Sequence, residues 1–114
     1  MSGSLVHMEL SDEALTLIAA RFKALSEPNR LKLIIALEDE AMSVSGLMEV
    51  TRLKQANVSR HLQTLVDAGI LARQRNGLTV MYSIADPGIF ELCQQVCGGI
   101  QKRLTRQAKV FGRG

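Results

Sequence analysis

No stretch of about 18 consecutive apolar residues occurs in the 114-residue chain, so no segment has the length and character of a membrane-crossing helix. The opening "MSGSLVH" lacks the basic segment and apolar core of a secretory signal, and the protein is expected in the cytoplasm. Residues 1–8 read as an expression scar or a disordered N-terminus, and 9–110 as the folded domain. Chemistry-bearing residues are few: two cysteines, Cys93 and Cys97, and two histidines, His7 and His61. With only three Asp/Glu after residue 50, no acid/base or nucleophile constellation is in view, and an enzyme is not expected. No internal repeat or low-complexity tract interrupts the chain.

The length suits one domain with a modest core, and 46% hydrophobic with 22% charged residues is a globular composition. The net charge of +3 hides an asymmetry: residues 1–50 hold four Lys/Arg against eight Asp/Glu, net −4, whereas 51–114 hold ten against three, net +7. The basic part is where a polyanion would bind; the plainer reading is a solvated face.

Ser11 is positioned to cap a first helix ending near Ser26, with Asp12 and Glu13 in its first turn and a stripe of Leu15, Ile18, Ala19, Phe22 and Leu25. Pro28 then opens a second, strongly apolar helix through Leu31, Ile34, Ile35 and Leu37. Ser43 or Ser45 caps a short third segment containing Leu47, Met48 and Val50, and "TRLK" links it to a fourth helix, making a helix-turn-helix candidate. After "DAGI" the period becomes that of strands: "ILARQR" and "LTVMYSIA" flank Asn76-Gly77, a two-residue hairpin signal, so that a wing follows the helix-turn-helix. Asp86 and Pro87 start a last helix with a long stripe of Ile89, Cys93, Val96, Ile100 and Leu104, and nothing follows to cover it. The fold class is mainly α with a β-hairpin: a winged helix-turn-helix with about five helices and a two-stranded wing.

In "QANVSRHLQTL", residues 55–65, Val58, Leu62 and Leu65 mark one buried face, while Gln55, Asn57, Ser59, Arg60 and His61 crowd the start of the helix. That is the pattern of a recognition helix whose first turns enter the major groove, where Gln and Asn can pair with adenine, Arg with guanine, and Ser or His with phosphates or bases. At about 100° per residue from Val58, Arg60 lies almost opposite the core and His61 on its flank, where it either reaches DNA or packs as a boundary histidine. On the wing, Arg73 and Arg75 share a face, and Arg75 beside Asn76 is the expected groove or phosphate contact. Lys102, Arg103, Arg106 and Lys109 in the tail read as solvating charges.

"FKALSEPNRLKLIIAL", "SVSGLMEVTRLKQANVSRHLQTLVDAGIL" and "ARQRNGLTVMYSIAD" together resemble the ArsR/SmtB family of winged-helix bacterial repressors over about residues 14–92. The resemblance implies a homodimer joined through the first and last helices, double-stranded operator DNA with inverted-repeat half-sites as partner, and release when an inducer binds. It also implies metal sites that this chain lacks: "SVSGLMEV" has none of the cysteines of arsenic and cadmium sensors, and no histidine follows Asp86 where zinc sensors carry them.

What remains is "ELCQQVC", with Cys93 and Cys97 at i, i+4 and about 6 Å apart on one side of a helix. That spacing disfavours an intrahelical disulfide. Three readings stay open: packing as small hydrophobes, binding of a thiophilic metal or metalloid shared between two subunits, and thiol redox or reactive-sulfur sensing. The expected function is a dimeric, sequence-specific DNA-binding repressor released by an inducer sensed at Cys93 and Cys97. The alternative is a winged-helix protein-interaction module without specific DNA binding.

Overall fold

The computed structural model describes residues 9–111, with side chains to residue 108. The expected scar at residues 1–8, His7 with it, and the side chain of Lys109 lie outside the described residues. Helix α1 spans Asp12–Ala24, α2 Pro28–Ala36, α3 Val44–Thr51 and α4 Gln55–Asp67; strands β1 (Leu71–Asn76) and β2 (Thr79–Ile84) follow, then α5 (Gly88–Phe111).

The helix ends follow from local chemistry. The Ser11 hydroxyl accepts from the Ala14 N–H at 3.0 Å, and Asp12 and Glu13 at one end with Arg21 and Lys23 at the other complement the dipole of α1. Of the two candidate caps for α3, Ser43 serves, accepting from the Gly46 N–H at 3.1 Å. The last helix starts one residue later than Pro87, because the Asp86 carboxylate accepts from the Gly88 N–H at 3.1 Å and turns the chain there. Helix α4 closes with a Schellman turn: the Gly69 N–H donates to the Val66 carbonyl and the Ile70 N–H to the Leu65 carbonyl, both at 3.0 Å. Gly69 takes φ +78° there, which a side chain resists.

The hairpin corrects one detail of the sequence reading. Asn76 pairs with Thr79, so Asn76 belongs to β1 and the turn residues are Gly77 and Leu78. Gly77 has φ +71° and Leu78 does not share its positive φ, the sign pattern of a type II′ turn with glycine first rather than of an Asn-Gly turn with both residues left-handed. Register Arg73↔Tyr82 and Arg75↔Val80 puts both arginines on the face of Leu71 and Tyr82. A third, single-residue strand was not legible: Met42 bridges Tyr82 in both directions, at 3.0 and 2.8 Å, and pins the base of the wing beside the start of α3.

One apolar cluster joins α2, α3, α4 and the wing: Leu33, Ile34, Leu37, Leu47, Val58, Leu62, Leu65, Ile70, Leu71 and Tyr82 are buried together. On the second helix Leu33, Ile34 and the cap Leu37 are buried, Leu31 is half-buried and Ile35 is exposed. The stripes on α1 and α5 are different. Ala24 and Ile89 reach the core, but Leu15, Leu17, Ile18 and Phe22 on α1 and Val96, Ile100 and Leu104 on α5 are exposed. Among the described residues, no helix is long and apolar enough to cross a membrane.

Candidate nucleic-acid interface

Helix α4 enters from a tight turn, residues 52–54, in which Arg52 adopts a left-handed conformation with φ 66° as the cap of α3. No side chain caps α4, and its first turn carries no acid. Its first N–H groups therefore stand open beside Lys54 and Arg52, both exposed, in an arrangement that favours a phosphate. Those two cations in "TRLK" were passed over in the sequence, where the segment reads only as a link.

Val58, Leu62 and Leu65 seal one side of α4 into the core and fix its rotation, which leaves Gln55, Ser59 and Arg60 exposed and Asn57 half-buried. The Arg60 guanidinium donates to the Asn57 side-chain oxygen at 3.2 Å, so Asn57 steadies the group that projects farthest from the core direction. Further along, the Gln63 amide donates to Asp67 at 2.8 Å and its oxygen accepts from Arg73 at 3.4 Å, tying the wing to the flank of α4. Arg75 and Asn76 are exposed near the wing tip.

His61 departs from the expected set of DNA contacts. It is only 4% exposed, and its Nδ1 lies 3.3 Å from Arg30 Nη1. Burial pushes its pKa below the ordinary 6.5; Glu27 opposes the shift, while Arg30 and Arg60 reinforce it. The ring is therefore neutral near pH 7, with Nδ1 placed to accept from Arg30. A ring sequestered in this way fits the boundary histidine, the other reading of this position, better than a contact to a base edge.

Arg30 is the larger omission. It donates from Nε to the Ala24 carbonyl at 2.7 Å, closing the end of α1 while meeting α4 through His61. In "SEPNRLKL" nothing but an arginine near a helix start signals this.

Cys93 and Cys97 are free thiols, the first half-buried and the second exposed. They line an apolar groove of about 520 Å³ with Phe22 of α1 and its C-cap Leu25, Leu31 and Ile35 of α2, and Val96 and Ile100 of α5. Burial raises the Cys93 pKa above 9.0, so its thiol holds its proton at neutral pH. Among the described residues no three His, Cys, Asp or Glu side chains come together as a metal-binding group, so one chain offers these two sulfurs and no more in this groove. At the other side of α1, Arg21 pairs with Asp86 at 2.6 Å and binds α1 to the start of α5.

Residues 27–73 match the family described as Bacterial regulatory protein, arsR family. A "probable mercury resistance operon repressor" of Streptomyces lividans is 33% identical over 92 residues, 81% of this chain and 74% of the relative. The crystal structure of Rv0081 from Mycobacterium tuberculosis superposes with TM-score 0.74 at 31% identity, covering 86% of this chain and 99% of that one. The solution structure of the homodimeric winged helix-turn-helix DNA-binding domain, fragment 1–100, of Mb0332 from Mycobacterium bovis gives TM-score 0.74 at 25% identity, covering 93% and 95%.

Proposed function

This chain belongs to the arsR family of bacterial regulatory proteins, and we propose that it is a dimeric transcriptional repressor that reads double-stranded operator DNA with α4 and the wing. The observation that carries this reading is the two-sidedness of α4, which buries Val58, Leu62 and Leu65 and presents Gln55, Ser59 and Arg60 from a basic N-terminal turn. Arg60, steadied by Asn57, is the base reader; Gln55 and Ser59 add polar contacts, and Arg75 and Asn76 extend them onto the wing. Repression is occlusion of a promoter by the bound protein and needs no catalytic step.

The exposed apolar faces of α1 and α5 support a homodimer through those helices, as does the homodimeric state of the Mycobacterium bovis domain. A twofold pair of α4 helices implies inverted half-sites about one DNA turn, roughly 34 Å, apart.

The inducer we assign to Cys93 and Cys97 is a thiophilic metal or metalloid ion. Two soft donors beside an apolar groove suit such an ion, which displaces the thiol protons on binding, and pairing of α5 with its symmetry mate would supply a second pair. The mercury-resistance relative supports the same class. The ion acts only by binding two dimer geometries with different affinity, a coupling of about 5- to 150-fold.

The test is binding of the reduced protein to its own upstream promoter DNA at two salt concentrations, before and after arsenite or Hg(II). Tight, salt-sensitive binding is expected, released by the ion in wild type and retained in Cys93→Ala. Arg60→Ala with Arg75→Ala should weaken binding by about tenfold or more and flatten the salt dependence. Unchanged binding in that pair points instead to a protein-interaction module, and release by oxidants or persulfide alone moves the cysteines to redox sensing.

A further inference from the structure

Leu78, at the tip of the wing, is 99% exposed. The turn calls for glycine at 77, with φ +71°, but makes no demand for an apolar side chain at the next position. Leucine there leaves a full apolar surface in water and adds nothing to the core.

Its setting points to what covers it. The hairpin from residue 71 to 85 carries Arg73 and Arg75 and no Asp or Glu, so its surface suits a polyanion. It leaves the protein body at the buried Leu71 and, at about 3.4 Å per residue, carries its tip roughly 17 Å outward. Arg73, at 3.4 Å from Gln63, ties it to the flank of the recognition helix. With α4 in a major groove about 12 Å wide, a hairpin of that length can cross one phosphate backbone and set its tip over the neighbouring minor groove.

We infer that Leu78 is an apolar wedge for the DNA minor groove, pressing between base steps while Arg75 holds the adjacent phosphates or the groove floor. The inference rests on the DNA-reading function proposed above and adds a specificity element to it. Apolar wedges unstack base steps and bend the duplex, so the energy of the contact depends on how easily the step beneath it deforms. Sites carrying a TA or CA/TG step under the wing are therefore preferred over a stiff A-tract, without a hydrogen bond from Leu78 to any base.

The experiment selects binding sites from a random duplex pool with the wild-type protein, then measures affinity over a range of salt for wild type, Leu78→Ser and Arg75→Ala. Position 78 is a solvent-exposed turn, and coincident thermal melts confirm that Leu78→Ser folds. Leu78→Ser should bind about tenfold more weakly with an unchanged salt slope, because it removes apolar burial and no charge. Arg75→Ala should lower the slope by about one. The wild-type preference for a flexible step under the wing should vanish in Leu78→Ser. Wild-type selection with Leu78→Ser binding within twofold overturns this inference alone. A change in sedimentation of Leu78→Ser without a change in DNA affinity makes Leu78 a protein contact and also overturns it. A wild-type protein that selects no sequence overturns the repressor reading and the wedge with it.

Discussion

Val58, Leu62 and Leu65 on α4 are fully buried, whereas Val96, Ile100 and Leu104 on α5 keep 54–56% of their surface in water. Both sets are spaced for one helix face, so the same sequence signal has two outcomes. The α4 residues find Leu33, Ile34 and Leu47 within the chain, and each buried leucine contributes about 1.5–3 kcal/mol. The α5 residues, with Leu15, Ile18 and Phe22 of α1, have no such cover among the described residues. Helical spacing states that a face is apolar; it does not state which chain covers it.

The sharpest break of that contrast pairs two variants. Leu62→Ala opens a cavity in the α4 side of the core and should cost about 2–5 kcal/mol in urea unfolding. Ile100→Glu with Leu104→Glu should leave the far-ultraviolet circular dichroism near wild type yet lower the sedimenting mass from two chains to one. If the double variant unfolds while staying dimeric, or if wild type sediments as one chain, the α1 and α5 faces serve some other contact.

A smaller effect comes from the junction between the two regions. A Cβ on Gly69 would meet a left-handed backbone and lie 2.8 Å from Arg21 Nη2, the end of the side chain that pairs with Asp86. Gly69→Ala should lose about 1–2 kcal/mol of stability, nearly all from the backbone, since the arginine can swing aside and an exposed ion pair contributes about 0–1 kcal/mol. If Arg21→Ala costs as much as Gly69→Ala, the ion pair carries more than this accounting allows.

The smallest effect concerns pH. Burial depresses the folded pKa of His61 below 6.5, so the unfolded chain takes up the proton first as pH falls. Its contribution to stability is complete above 6.5 and is lost as the solution is acidified through the lower, folded value. Stability should fall more steeply with acidification in wild type than in His61→Gln, as read from unfolding midpoints across that range. Parallel slopes would mean that the ring titrates as a solvent-exposed histidine.

Much of this was legible because it is local. Ser11, Pro28 and Asp86 announced helix starts through capping and backbone preference, and Val58, Leu62 and Leu65 announced the rotation of α4. What was not legible depended on partners distant in sequence. Met42 pairs with Tyr82 across 40 residues, a bridge that leaves no run of alternating residues to notice. The register of the hairpin moved the turn from Asn76-Gly77 to Gly77-Leu78, because strand pairing and not the dipeptide chose where the ladder ended.

Taken by itself, the order of residues determined the helices, the wing, the basic second half and the polar outer face of α4, since each depends on neighbours within a turn or two of chain. Only the tertiary structure decided that His61 turns inward to Arg30, that Arg30 closes α1, that Leu78 stands alone at the wing tip, and that Cys93 and Cys97 share a groove with α1 and α2. Those facts follow from how whole elements pack. A flanking position such as that of His61 is buried or exposed according to what the neighbouring helix brings to it, and helical spacing carries no information about that neighbour.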